Sequence, residues 1–449
     1  MKKLCLLLTL WAAPVAAQDV SIPFTKYELS NGLTLIVHED HSVPMAAVNV
    51  WYHVGSGYEE PGRTGFAHLF EHIMFEGSAN VPEGDFDNLL EAAGGVNNGS
   101  TNSDRTNYYE IIPSNAVKLA LWLEADRMGG LLETMTDSKL DLQRAVVKNE
   151  RRQSYENRPY GIFFASVDSL LYPTGHPYSW STIGSMDDLS AASREDVSEF
   201  FRRYYSPNNA VVAVAGDVDA EEVRATAERF FGWIPSGPVI TPPDIPIPPI
   251  PETRYVTLED RVTLPQVNLI WRTTPAFSED AAALNALAQI LASGKNSRLY
   301  KRLIYDEQVA QNLYAYNDAR LLSGDFYVQV TGRESVDLEI LDRAVREEIA
   351  KLAAEPPTAE ELQRVKSGIQ TGLVGSLESV AGKANQLNAY YYYTGDPDFS
   401  QEELARYQAL TPADIQRAAR TYLTNENSVV VSVVPMGQLE LATNEEVAR

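Results

Sequence analysis

The stretch "MAAVNVWYHVG" (residues 45–55) returns in altered form as "LPQVNLIWRTT" (residues 264–274). Each is a short apolar run with β-branched and aromatic residues, which predicts a strand. Asn49 and Trp51 mark the first, Asn268 and Trp271 the second. A second echo lies downstream: "LSAASREDVSEFFRRYYSPNNAVVAVAG" (189–216) against "LTPADIQRAARTYLTNENSVVVSVVP" (410–435). Trp51 and Trp271 are 220 residues apart, Tyr205 and Tyr422 are 217 apart. Two echoes at nearly one offset predict an internal duplication.

Between the copies, "IPSGPVITPPDIPIPPIPET" (234–253) holds eight prolines. Such a stretch is neither helix nor central strand, but an extended connector. Each half mixes both periodicities. "YELSNGLTLIVHED" reads as a hairpin turning at Asn31-Gly32. "SNAVKLALWLEADRM" and "DAEEVRATAERFFGW" read as amphipathic helices, with Ser114 and Asp217 or Asp219 near their starts. The expected fold is α+β, with two duplicated domains, each an antiparallel-rich sheet covered on one face by helices. The expected boundaries are 18–234 and 253–449, with the linker at 235–252.

The N-terminus "MKKLCLLLTLWAAPVAAQDV" has two lysines, an apolar run and small residues, the pattern of a secretory signal cleaved after Ala17. It predicts export to the periplasm or beyond. No later segment reads as a membrane helix. Cys5, the only cysteine, lies inside that leader, so disulfides and cysteine metal ligands are excluded from the mature chain. Removing Lys2 and Lys3 from 37 basic residues leaves 35 against 61 acidic, net −26. That charge argues against nucleic acid and anionic membrane as partners.

The chemistry concentrates in "GFAHLFEHIMFEG" (65–77). Thr64 as N-cap and Gly77 as stop predict a short helix. Phe66, Leu69, Phe70, Ile73 and Met74 wrap most of its circumference, so the helix is buried. His68, Glu71 and His72 form one polar stripe at i, i+3 and i+4. Buried ionisable groups side by side need a partner, and a cation would serve. His-x-x-Glu-His is an inverted zinc-peptidase spacing: two imidazoles one turn apart converge on one ion, and the glutamate flanks its water as general base.

A catalytic zinc takes a third protein ligand. His38, His41 and His53 lie in or beside predicted strands, and His176 in the loop "PTGHPYSW". In "LDLQRAVVKNERRQSYENRPYG" (140–161), Glu150 follows Leu142 and Val146 at i+4 steps, a glutamate on an apolar stripe. Glu150 is the preferred ligand and His176 the second choice.

With those residues in place, the chain resembles the pitrilysin or insulinase-like zinc metallopeptidases, which include the mitochondrial processing peptidases. The resemblance rests on the His68-to-His72 motif, on the glutamate of "VVKNE", and on "GGVNNGSTNSDRTNYYE" (94–110). It implies one Zn2+ per chain held by His68, His72 and Glu150, with Glu71 as base. It implies that Asn98 to Ser103 form an edge strand to which a peptide substrate adds as a further strand, contacting Asn98, Gly99 and Ser100. The family often carries an acid seven residues before the third ligand; here Gln143 stands there, able to hydrogen-bond to the zinc shell.

The family's Arg and Tyr of the C-terminal half correspond, in "LIYDEQVAQNLYA" (303–315), to Ile304 and Gln311. Arg298 and Tyr305 have the right separation but match a preceding part of the pattern. The resemblance therefore implies a hetero-oligomer, in which a homologous zinc-free subunit supplies the Arg/Tyr pair. The expected activity is a zinc-dependent endopeptidase acting on peptides or unfolded segments. The alternative is a non-catalytic assembly subunit of a larger complex, which would have no use for Glu71.

Overall fold

In the computed structural model the described residues are 20–247 and 249–443; the leader expected at 1–17 lies outside them. The first half contributes β1 (Thr25–Glu28), β2 (Thr34–Glu39), β3 (Met45–Tyr52), β4 (Val96–Thr101), β5 (Thr106–Pro113) and β6 (Ala210–Gly216). The second contributes β7 (Arg254–Asp260), β8 (Gln266–Thr273), β9 (Ala310–Ala319), β10 (Gly324–Gly332) and β11 (Ser428–Pro435). The sheet orders are β1-β2-β6-β3-β5-β4 and β7-β11-β8-β10-β9. Apart from β1 the two are one topology. Each has a single parallel pair, β2 with β6 and β7 with β11. The other neighbours are antiparallel.

The duplication extends to helix starts. Ser193 with Asp196 and Thr411 with Asp414 form capping boxes at the heads of Arg194–Tyr204 and Pro412–Tyr422. The tryptophans are a different matter. Asn49 and Asn268 share a face of their sheets, but Trp51 lies two residues beyond the first asparagine and Trp271 three beyond the second. With a period of two, that one-residue difference puts them on opposite faces. Trp271 is fully buried in the helix-packed core of the second sheet, whereas Trp51 faces the other way, its ring 6.1 Å from that of Tyr392.

One face of each sheet is covered by helices of its own half. Leu35, Val37, Val48, Val50 and Tyr52 pack there with residues of Phe66–Ile73, Val117–Thr134 and Ala220–Phe231. The opposite face is covered by an exchange. Ala384 and Leu387 of the helix Val380–Thr394 pack on Ile36, Ala47, Val211 and Ala213 of the first sheet. Reciprocally, Phe163, Val167 and Leu171 of the helix Gly161–Leu171 pack on Ile270, Val429, Val431 and Val433 of the second.

The hairpin between β1 and β2 is one residue longer than a two-residue Asn-Gly turn. Leu29 and Leu33 remain hydrogen-bonded around Ser30-Asn31-Gly32, with Gly32 at φ +84°. Asn31 is buried instead, donating to the carbonyls of Phe231 and Ile234. Of the expected helix starts, Asp219 caps its helix, while the Ser114 hydroxyl bonds Asp217. Residues 235–252, Pro248 apart, are without helix or strand. Among the described residues no helix is long and apolar enough to cross a membrane.

Candidate functional site

The helix Phe66–Ile73 lies buried beside β4, with Leu69, Phe70 and Ile73 in the core of the first half. Its start is not capped by Thr64, whose hydroxyl and N–H both bond to Asp188. The N-cap is Gly65, at φ +87°, where a Cβ would fall 2.6 Å from the Ile183 carbonyl oxygen. The Glu59 carboxylate accepts from the N–H groups of Gly65 (2.9 Å) and Ala67 (2.8 Å) and so satisfies the orphan donors. Burial pushes the Glu59 carboxyl up to about 8.

His68 and His72 stand one turn apart, their ring centroids 4.9 Å from each other. Both Nε2 atoms face Glu150, at 3.7 Å from His68 and 3.2 Å from His72. One donor atom from each of the three lies within 4.8 Å of the others. Among the described residues no other group of three or more His, Cys, Asp or Glu is so arranged. Two imidazoles and a carboxylate suit zinc in kind and in number, leaving a tetrahedral position open. Burial, aided by the neighbouring His72, lowers the His68 pKa to about 4, so the ring is neutral at pH 7 and its lone pair is available. The hydrogen bond to His72 holds the Glu150 carboxyl below its usual range.

Glu150 closes the helix Asp137–Arg151, but on a different stripe from the one read in the sequence. Leu142 and Val146 are exposed, at 50% and 40%. The buried stripe is Leu140, Gln143 and Val147, and Glu150 continues it three residues on. His176 takes no part in the cluster. It is 3% exposed, stacked on Tyr172, and its Nδ1 accepts the Tyr178 N–H. His38 faces the Pro23 carbonyl, His41 faces Asp217, and the half-buried His53 packs against Tyr392.

Glu71 is held by the neighbouring strand. The Thr101 hydroxyl donates to Glu71 Oε2 at 2.6 Å, while burial raises the Glu71 pKa. β4 is the outer strand of the first sheet, paired only to β5, so one of its edges is free. It ends at Thr101; residues 102 to 105, expected in part to be strand, form the turn into β5. Asn98 is exposed, and its side-chain oxygen accepts the Gly99 N–H at 2.8 Å. A Cβ on Gly99 would lie 3.1 Å from Glu71 Cγ, so a glycine permits the strand to approach the helix this closely. Ser100 is partly buried, and its carbonyl and hydroxyl oxygens both accept from Arg105. The Arg105 guanidinium rests over the Trp51 ring at 5.0 Å.

Gln143 does not bond to the three donors: its amide donates to Glu76 at 2.5 Å. The acid of this corner is thus Glu76, raised in pKa by burial. Next to the edge strand, the buried Asp104 joins the halves. Its carboxylate accepts from Tyr178, from Tyr393 and from the Leu321 N–H, and its carbonyl from Tyr392. Sequence reasoning missed Glu59, Glu76, Thr101, Asp104 and Arg105. Only Thr101 carried a signal, its place in the segment 98–103.

In the second half, Ile304 sits in the π-helical turn Tyr300–Asp306, partly buried against the core, and Gln311 is exposed on β9. Arg298 is ion-paired to both oxygens of Glu361, at 2.8 and 2.9 Å, and Tyr305 is 75% exposed. The helix Ala281–Ala292, which follows β8 as the motif helix follows β3, carries no histidine, aspartate or glutamate.

Residues 34–172 match the family described as Insulinase (Peptidase family M16), and residues 191–369 match Peptidase M16 inactive domain. The chain is 30% identical over 438 residues to the zinc protease PqqE of Helicobacter pylori, covering 96% of this chain and 97% of that protein. It is 24% identical over 441 residues to the mitochondrial-processing peptidase subunit beta of Blastocladiella emersonii, covering 93% and 90%. A crystal structure of a protease from H. pylori superposes with a TM-score of 0.87 at 28% identity, covering 92% of this chain and 100% of that one. The periplasmic protease PqqL of Escherichia coli superposes with a TM-score of 0.77 at 19% identity, covering 94% of this chain and 50% of that chain. The duplicated sheets, the two histidines and glutamate brought together on the first, and these similarities lead to one conclusion: the chain belongs to the insulinase family, peptidase family M16.

Proposed function

We propose that this chain is a zinc-dependent endopeptidase whose metal is held by His68, His72 and Glu150 and whose general base is Glu71. The observation that carries the reading is the convergence of the three donors within 4.8 Å, beside a second carboxylate, Glu71, held from the edge strand. Zinc bound there supplies a Lewis acid that polarises the scissile carbonyl and acidifies a water. The residues of the chain do the rest. A peptide adds along the free edge of β4, at Asn98, Gly99 and Ser100, through main-chain hydrogen bonds. Thr101 occupies Oε2 of Glu71, which leaves Oε1 to take the proton from water and pass it to the leaving nitrogen. Glu150, on a separate helix, balances positive charge without competing for that proton.

The domain boundaries 18–234 and 253–449 and a periplasmic location belong to the same reading. The latter is supported by the leader pattern and by the likeness to PqqL, a periplasmic protease. We also infer a second, zinc-free subunit, since Ile304 and Gln311 cannot serve as cation and phenol. The named relative that is a subunit of a processing peptidase supports it.

Metal analysis and peptide cleavage on one variant set test the proposal. Purified protein should carry about one zinc. Glu71→Gln should keep the metal and lose cleavage, Glu150→Gln should lose the metal, and His176→Ala should keep both. Full activity in Glu71→Gln refutes the base, and zinc retained in Glu150→Gln refutes the ligand set.

A further inference from the structure

Next to the three donors lies a cavity of about 340 Å³ whose wall includes His68, Glu150 and Thr101. Its other lining comes mainly from the chain directly after Glu150. The π-helical turn Arg152–Glu156 places Ser154 and Tyr155 there, and the following loop places Arg158. A π-turn of this kind is frequent at functional sites, because it re-aims side chains that a regular helix would carry past. Phe164 and Ile183 add apolar surface, and Thr182 a hydroxyl.

The charge of this cavity is set by one residue. Arg158 is exposed, and among the described residues no carboxylate or carbonyl is hydrogen-bonded or ion-paired to its guanidinium. The single acid of the wall, Glu150, is turned to His68 and His72. In a chain of net charge −24, a cation left without a partner beside the reacting groups is not background. An apolar substrate side chain would leave Arg158 and the hydroxyls of Ser154 and Tyr155 unused, and a basic one would be repelled. A carboxylate would meet a guanidinium fork whose donors match it in pairs. Phe164, Ile183 and the Tyr155 ring would cover the methylenes that carry it.

We propose that this cavity seats the side chain of a substrate residue flanking the cleaved bond, and that Arg158 makes it select an acidic one, glutamate above all. The inference rests on the peptidase reading and names its substrate class. Peptides identical but for Glu, Gln, Lys or Phe at the flanking position test it. Cleavage is compared for wild type, Arg158→Ala and Arg158→Glu. Wild type should favour Glu over Gln by about tenfold or more, the scale of one charged hydrogen bond. Arg158→Ala should bring that ratio near one, and Arg158→Glu should turn the preference to Lys. The same ratios should appear in equilibrium binding of the peptides to Glu71→Gln protein. Charge-selective binding without wild-type cleavage would refute the peptidase reading and leave the pocket standing. Ratios equal in all three proteins, or a wild-type preference for Phe or Lys, would overturn the pocket.

Discussion

Thr101 shows how much of the site depends on a single hydroxyl. It has one proton, and the Glu71 carboxylate oxygen at 2.6 Å is a nearer and stronger acceptor than the Thr106 hydroxyl at 3.4 Å, so that proton goes to Glu71. Replacing it with valine keeps the β-branched shape of the strand and removes only the hydrogen bond to Glu71. Thr101→Val should retain zinc and peptide affinity but lose about ten- to a hundredfold in kcat, the cost of a misplaced catalytic group, and Thr101→Ser should restore most of it. An unchanged kcat, with affinity lost instead, would make Thr101 a substrate contact only. At this scale the sequence was legible where spacing carries the geometry. His68 and His72 needed nothing beyond one helical turn. The stripe that singles out Glu150 in the sequence is the exposed one, since Leu142 and Val146 face solvent while Val147 is buried. Glu59, Glu76 and Asp104 left no mark, because their partners lie on other elements and no local period reports them.

Among the elements, the helix Ala359–Ser376 is tied at its start. Thr358 and Glu361 form its capping box, and Glu361 also receives Arg298 in a two-pronged ion pair. Hydrogen bonding from Arg298 lowers the Glu361 pKa from 4.5 to about 2. A carboxyl depressed in the folded state stabilises it above the unfolded pKa, and that contribution is lost as pH falls through the folded value. Glu361→Gln keeps the cap but not the charge. Its melting temperature should lie below wild type at neutral pH, and the gap should close between pH 4.5 and about 2. A gap that persists at pH 2 would show that the pair is not what Glu361 contributes. The same pair explains why Arg298 does not replace a missing substrate contact. The strand echo was legible as an element and misleading as a register: Asn49 and Asn268 are equivalent, Trp51 and Trp271 are not.

Among the described residues, the three donors that could hold a metal and the free strand edge beside them both lie in the first half. The second half lacks the Arg and Tyr that the resemblance led one to expect, so a zinc-free homologue should complete the site. Losing one donor to a developing oxyanion commonly costs about a hundredfold or more. The isolated chain should therefore cleave an unstructured peptide feebly, with activity rising on addition of such a partner. Full activity as a monomer or homodimer, with mass taken from light scattering, would exclude the partner. The duplication itself was readable from two echoes and a proline linker. The exchange of helices between halves was not, because a helix sequence specifies its apolar face but not which sheet that face will meet.

That exchange bears on how the chain is made. Ile36, Ala47 and Ala213 have emerged from the ribosome long before Ala384 and Leu387, which cover them. Through most of synthesis the first sheet must wait with a naked apolar flank, open to chaperones and to its own neighbours. The molecule cannot mature half by half, and a chain stopped at the proline linker would be sticky rather than merely inactive.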